Sequence, residues 1–174
     1  MQTQRPALHD FFIATQARAF RQAEIAVGNR DDAMDIVQDA MIRLARNYSD
    51  REQEWSLLFH RILQNLIRDC FRRRKVRGIF IRRDEHSENE DEGDQDHSTP
   101  TPEQNQQQEQ LRQQINAALQ HLPLRQQQAF LLRSWWGHDV AETAYIMRCT
   151  EGSVKTHYSR ALQKLKDMLG EMAP

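Results

Sequence analysis

Apolar residues recur along this chain at intervals of three and four, the spacing that places side chains on one face of an α-helix. In the first part of the chain this pattern predicts a helix that runs to Val27, with Gly28 as its terminator. A second helix is predicted over DDAMDIVQDAMIRLARNY, with an acidic exposed face, and a third over WSLLFHRILQNLIRDCFRRRKVR, whose last turns are strongly basic. No sheet signal stands out, so the fold is predicted to be all-α.

Four further helices are predicted in the C-terminal part of the chain. The apolar positions from Leu111 to Leu122 mark a helix that stops near Pro123, and RQQQAFLLRSWWG marks another that ends at Gly137. A short helix over DVAETAYIMR, a turn at CTEG and a longer basic helix follow. The order of helix, tight turn and longer basic helix is that of a helix-turn-helix, whose second helix enters the major groove of DNA.

The last helix separates an apolar stripe from a polar, basic face. Val154, Tyr158 and Ala161 lie on the stripe, and Thr150 stands where an N-cap belongs. The hydroxyl and cationic side chains between them suit phosphate oxygens and base edges. Taken alone, the pattern fits an ordinary surface helix equally well.

Charge is distributed very unevenly along the chain. The formal net charge is −1 at pH 7, but residues 84–110 contain 10 Asp and Glu and no Lys or Arg. Residues 1–83 carry a net +6 and residues 111–174 a net +3. The middle segment has too few apolar residues to fold alone. We therefore predict two small helical domains, 1–83 and 111–174, joined by a flexible, acidic and Gln-rich linker, 84–110.

Several classes of protein are disfavoured by the sequence. No stretch is long and apolar enough for a membrane span, and the polar N-terminus lacks the pattern of a signal peptide, so cytoplasmic location is expected and membrane insertion is not. Cys70 and Cys149 are far apart and form no CxxC pattern, and the 7 His are scattered, so no metal site is expected. Without a Gly-rich phosphate loop or a nucleophile and base pair, neither a cofactor nor an enzymatic activity is expected.

Four blocks of the sequence, in this order, closely resemble the bacterial extracytoplasmic-function sigma factors. They are DAMDIVQDAMIRL, RILQNLIRDCFRRR, LPLRQQQAFLL and AETAYIMRCTEGSVKTHYSRALQKL. The resemblance implies a non-enzymatic alternative sigma factor that binds core RNA polymerase, recognises promoter DNA as duplex and as single strand, and helps to open it. Relatives usually have an anti-sigma factor, which is therefore an expected partner here as well.

The resemblance also implies three groups of functional residues. Contacts with core polymerase are expected from Asp35, Gln38 and Asp39, whose exposed polar groups can meet basic residues across an interface. Recognition and melting of the minus-ten element need polar groups for a splayed base and cations for its phosphates, and are expected from Ser49, Asp50, Arg51, Gln53, His60, Arg61, Asn65, Arg68, Arg72 and Arg73. Duplex recognition of the minus-thirty-five element is expected from Ser153, Lys155, Thr156, Ser159 and Arg160.

Some residues depart from the family's pattern. His60 stands where many relatives have Tyr, and Leu58 where many have Trp, which reduces the aromatic surface for upstream bases. Trp55 is expected to compensate in part. Arg148 replaces a turn Gly that often supplies a positive φ, so a differently shaped turn is expected before the last helix.

Two other functions remain open from the sequence. A stand-alone helix-turn-helix regulator would explain the C-terminal half but not DAMDIVQDAMIRL or the basic third helix, and duplex binding without polymerase would favour it. A helical adaptor would explain the amphipathic helices but not the two positive ends. The absence of salt-sensitive binding to DNA or polymerase would favour that adaptor.

Overall fold

The computed structural model describes residues 4–76 and 102–171, and their side chains over 7–76 and 108–170. Its α-helices are α1 (Gln4–Val27), α2 (Arg30–Tyr48), α3 (Trp55–Val76), α4 (Pro102–His121), α5 (Leu124–Phe130), α6 (Val140–Met147) and α7 (Glu151–Glu171). A 3-10 turn precedes α3, and a π-helical turn, Leu131–Trp135, extends α5. These ranges contain no strand, and the predicted all-α class is confirmed.

Local signals in the sequence explain most helix ends. Gly28, with φ +67°, ends α1 as predicted, and Asn29 caps α2 through its side chain, which accepts from the backbone N–H of Asp32 at 2.9 Å. Asp139 and Glu142 form a reciprocal capping box at the start of α6. The predicted N-cap of the last helix is confirmed, because Thr150 Oγ1 accepts from the N–H of Ser153 at 3.1 Å.

Helices α1, α2 and α3 form an N-terminal group around one apolar core. Phe59, Leu44 and Leu63 are fully buried in it, together with small residues of α1 and α2 that let the helices approach closely. Arg74 ties the basic end of α3 to the other two helices by donating to the Val27 carbonyl at 2.6 Å and by pairing with Asp32. The group therefore holds α3 firmly along its whole length.

Helices α4 to α7 form a C-terminal group around two smaller apolar clusters. One joins α4, α5 and α7 and also buries Ile25 of α1, and the other places Leu132, Ile146 and Val154 between α5, α6 and α7. The second cluster fixes α6 against α7, so the predicted helix-turn-helix is present. Helix α7 begins at Glu151, within the segment that the sequence had suggested as a turn.

The two groups of helices pack against each other through polar and apolar contacts, and the polar ones form a junction. We define the junction by Gln22 of α1, His60 of α3, and Trp136 and His138 of the segment before α6. Trp136 Nε1 donates to Gln22 Oε1 at 2.6 Å, and His138 Nε2 lies 3.0 Å from His60 Nδ1. Beside them, the Arg18 guanidinium lies over the Trp136 ring at 4.3 Å. These contacts join the described helices of the two groups into one packed structure.

The predicted linker is only partly covered by the described residues. Helix α4 begins at Pro102, so the Gln-rich end of residues 84–110 is helical. Residues 84–101, predicted to be disordered, lie outside the described ranges. None of the described helices combines the length and apolarity needed to cross a bilayer.

Candidate nucleic-acid interface

Helix α7 presents its predicted DNA-contacting residues on an open face. Val154, Ala161 and Leu165 are buried beneath the helix, which fixes its rotation about its own axis. The opposite face carries Ser153, half-buried beside the N-cap, and the exposed Lys155, Thr156, Ser159 and Arg160. Thr156 donates its hydroxyl to the Gly152 carbonyl at 3.0 Å, an intrahelical bond that leaves the oxygen free to accept. The sequence had therefore identified the residues that are brought together here.

The turn between α6 and α7 does not have the altered shape that the sequence suggested. Arg148 adopts a left-handed conformation, with φ 52° and ψ 55°, which is the conformation a turn glycine would supply. Its backbone N–H closes the end of α6, and Arg125 donates to the neighbouring Met147 carbonyl at 2.8 Å. The expectation of a different turn was wrong, because packing of α6 on α7 imposes the same geometry on an arginine.

The acidic face of α2 is exposed on the side away from the core. Asp35 and Gln38 are exposed, and Asp39 pairs with Arg43 one turn later at 2.9 Å. Both members of this pair are about half exposed, so water screens their attraction strongly and the pair opens at little cost. The three predicted polymerase contacts therefore share one accessible face.

The residues predicted for minus-ten recognition divide into exposed and covered sets. Ser49, Asp50, Arg51 and Gln53 are exposed in the loop before α3, and Arg72 and Arg73 are exposed at its end. The residues between these ends, His60, Arg61, Asn65 and Arg68, lie on the middle of α3. Asn65 accepts from the guanidinium of Arg68, so its amide oxygen is already engaged.

The middle of α3 faces the C-terminal group. His60 is only 1% exposed, and the Arg61 guanidinium lies over the ring of Tyr145 in α6 at 4.3 Å. Trp55 does not supply the aromatic surface that the sequence suggested. It is buried in the core, and its Nε1 donates to the Tyr48 carbonyl at 2.8 Å.

The geometry of the junction indicates the tautomer of His60. His60 Nδ1 lies 2.7 Å from the Ser56 carbonyl, which can only accept, so Nδ1 carries a proton. His138 Nε2 lies beside the same nitrogen, and His138 Nδ1 faces Glu142 at 3.3 Å. Burial, and after it the neighbouring His138, lowers the pKa of His60 to about 3.

Cationic side chains from both helical groups meet beside the junction. Burial lowers the pKa of Arg68 of α3, and the charges of Arg125 and Arg148 lower it further. On the same side, burial, Arg125 and Arg160 lower the pKa of His157. The basic surface thus continues from α3 to the helix-turn-helix.

Sequence reasoning missed three residues of this region. Gln22, Trp136 and His138 were given no functional role, although they carry the junction. Residues 60 and 138 are distant in sequence, and no local pattern links them. The one available signal was the position of His138 directly after Gly137, where a helix ends and a side chain is free to turn inward.

Comparison with protein families identifies the C-terminal group. Residues 112–165 match the family described as Sigma-70, region 4. This segment runs from α4 to within α7, and so includes α5, α6, the turn after α6 and most of α7.

Comparison with individual proteins extends the similarity to the rest of the chain. The chain is 27% identical to the ECF RNA polymerase sigma factor SigM of Mycobacterium tuberculosis, strains H37Rv and Erdman, over 95% of its own length and 79% of theirs. Its fold is similar to that of the sigma factor RpoE in a co-crystal structure with the anti-sigma factor NepR from Bartonella quintana. That match has a TM-score of 0.68 and 21% identity, and covers 93% of this chain and 96% of the other.

Proposed function

We propose that the chain is an extracytoplasmic-function sigma factor, which binds core RNA polymerase and directs it to promoters. The observation that carries this proposal is the open polar face of α7, presented by a helix-turn-helix within the region 4 match. The similarity to SigM covers 95% of the chain, which a stand-alone helix-turn-helix regulator does not explain.

We assign the steps of initiation to the two helical groups. Residues 1–83 dock on the polymerase through Asp35, Gln38 and Asp39 and recognise the minus-ten element through the loop before α3 and through α3 itself. Residues 111–174 bind the minus-thirty-five duplex through α7, and residues 84–110 link the two parts. The exposure of the acidic face of α2 and of the polar face of α7 supports this division.

Strand opening in this scheme exchanges base stacking for protein contacts. Unstacking a base costs a few kcal/mol, which stacking, pocket contacts and phosphate neutralisation by arginines can offset. The chain supplies binding energy and no catalytic group, so it acts as a specificity factor in the cytoplasm. By analogy with RpoE and NepR, an anti-sigma factor is part of the proposal.

Run-off transcription tests the proposal directly. Purified core polymerase is incubated with a pool of genomic fragments, with and without the chain, and the transcripts are sequenced. The proposal expects a small set of new start sites with a shared upstream sequence. Unchanged transcription, with the chain instead binding duplex DNA specifically on its own, would favour the stand-alone regulator.

A charge reversal on α2 provides a matched variant for that assay. We expect Asp35→Arg with Asp39→Arg to remove activity by weakening polymerase binding, because like charges across an interface cost several kcal/mol. Asp35 is exposed and Asp39 is half-exposed in a weak surface pair, so the fold should be nearly unaffected. The exposed pair Asp167→Arg with Lys164→Glu on α7 serves as a control for charge changes in general. Unchanged affinity for core polymerase in competition would contradict the assignment of Asp35 and Asp39.

A further inference from the structure

We propose that α6 and the segment Trp136–His138 act as an intramolecular cover on the DNA face of α3. The free chain must then open at the junction before α3 can bind a single strand. The residues on this face follow helical spacing, at His60, Arg61, Gln64 and Arg68, and α6 packs along it. The inference rests on the proposed function of α3 and adds to it a closed state of the free protein.

The cover hides a part of α3 that DNA would need to reach. His60 and Gln64 are each 1% exposed, and Arg61 and Arg68 are half-buried. A splayed base requires direct contact with its edge and faces, so no base can reach these side chains while α6 is in place. The closed arrangement is therefore incompatible with single-strand binding along the middle of α3.

Both polar and apolar contacts hold the cover. Gln22 accepts from Trp136, Arg18 stacks on Trp136 and donates to the Trp135 carbonyl, and Arg61 stacks on Tyr145. Each of these groups can be satisfied by water when the two helical groups separate. Undocking also exposes apolar side chains, because Trp136 packs against the apolar clusters of both groups and Ile25 of α1 is buried in the cluster of α4, α5 and α7.

Other features of the junction oppose closure. His60 Nε2 and both polar atoms of the Gln64 amide are buried without a hydrogen-bond partner among the described residues. Such groups recover hydrogen bonds on opening. Arg68 also faces the like charges of Arg125 and Arg148 across the junction. These features lower the stability of the closed arrangement.

The side chains under the cover are also of the types that bind single-stranded nucleic acid. An amide such as that of Gln64 can read the Watson–Crick edge of a base, and Arg61 and Arg68 can neutralise phosphates or stack on bases. This adds Gln64 to the candidate minus-ten contacts. The polar face of α7 stays exposed in the closed arrangement, so the cover should inhibit single-strand binding and leave duplex binding largely unchanged.

The test weakens the cover without changing either DNA face. The variant Gln22→Ala with Tyr145→Ala removes one contact from each side of the junction, and Tyr145 is 44% exposed, so the fold should tolerate its loss. The control, Ile13→Ala with Ile42→Ala, truncates two exposed side chains that make none of the junction contacts described above. Circular dichroism verifies folding, and Tyr145→Ala alone replaces the double variant if that fails to fold.

Two measurements are made on the full chain. Spin labels at Met34→Cys and Lys164→Cys, in a Cys70→Ala and Cys149→Ala background, report the distance between the helical groups. Fluorescence anisotropy reports binding to a labelled single strand of random sequence and to the same sequence as duplex. We expect the double variant to populate longer distances and to bind the single strand at least about threefold more tightly, with duplex affinity unchanged, because the apparent affinity scales with the open fraction.

Each result decides the proposal. Unchanged distances in the variant would mean that these contacts do not hold a closed state. Longer distances without tighter single-strand binding would mean that α6 does not block α3. Either outcome overturns the inference alone if the chain still supports run-off transcription, whereas loss of transcription in the wild-type protein would overturn the proposed function itself.

Discussion

The two candidate DNA faces of this chain are built from similar helices but differ in what covers them. On α7 the apolar stripe is buried and most of the polar, basic side chains project into solvent. On α3 the polar face is itself covered, at Arg61 by Tyr145 of α6 and at His60 by His138 of the segment before α6. An amphipathic helix therefore does not reveal by its pattern alone whether its polar face is free.

The difference follows from what each face has to bind. Duplex DNA presents its groove and phosphates without rearrangement, so an open helix can recognise it at once. A single strand exists only after melting, and an exposed stacking surface with arginines would bind any single-stranded nucleic acid without sequence preference. Covering the single-strand face while leaving the duplex face open would impose an order on the two interactions.

Among the variants that test this comparison, Trp136→Ala is expected to cause the largest loss of stability. Trp136 packs against the apolar clusters of both helical groups and bonds to Gln22. Its half-buried ring places the cost near the lower end of the range for such truncations, about 2–3 kcal/mol of unfolding free energy. Urea unfolding followed by circular dichroism measures this loss. Trp136→Phe is the matched control, because it keeps most of the packing and loses only the hydrogen bond, and an equal loss in both variants would contradict the packing role.

A smaller pair of effects should separate the two DNA faces. We expect Arg160→Ala to weaken duplex binding upstream by about 1–3 kcal/mol, whereas Asn65→Ala should mainly impair opening or minus-ten selectivity. Transcription from a promoter with a premelted minus-ten bubble distinguishes them. Premelting should rescue the opening defect of Asn65→Ala and leave the defect of Arg160→Ala in place. The reverse pattern of rescue would exchange the two assignments.

The third effect concerns pH and acts on the covered face alone. In the closed state the pKa of His60 is about 3, below its ordinary value of 6.5, so closure favours the neutral ring. His138 and Arg18 face His60 and also disfavour its charge, while Glu142 contacts only His138. The contribution of His60 to closure is therefore fully present at pH values above its ordinary pKa of 6.5, and it weakens as the pH falls below 6.5.

The expected size of the pH effect follows because, in this pH range, His60 binds a proton only in the open state. Between pH values of about 7.5 and 5.5, the ratio of open to closed chain should rise about tenfold from His60 alone. The spin-label distances measure this ratio across a pH titration. His60→Gln removes the titrating group, and a pH response of the same size in that variant would show that His60 is not its source.

The helices could be predicted from the sequence because their signals are local. Gly28, Thr150 and the apolar stripe of α7 act within a few residues, so the element order and the helix-turn-helix were predicted correctly. The π-helical turn at Leu131–Trp135 was not predicted, because no single residue there breaks the helical pattern.

The covering of α3 could not be predicted because it depends on distant contacts. His60 and His138 meet only when the two helical groups pack, and each looks unremarkable within its own segment. For Trp55 the sequence suggested an exposed aromatic surface. The ring instead packs against Phe11 and is buried in the core. Burial of a polar or aromatic residue is decided by tertiary packing, which periodicity does not encode.

The smallest change in stability is expected from substitution of Arg148, in the turn between α6 and α7. Arg148 holds a left-handed conformation that costs an L-residue roughly 1–2 kcal/mol relative to glycine. It also lies near Arg68 and Arg125, so its charge opposes closure of the junction. Arg148→Gly should therefore raise the unfolding free energy by about 0.5–1 kcal/mol, after the greater backbone entropy of glycine in the unfolded chain is deducted. Arg148→Ala removes the charge and keeps the backbone strain, which makes it the matched control in urea unfolding. If alanine stabilised the protein as much as glycine, charge repulsion across the junction and not the left-handed turn would be the source of the cost.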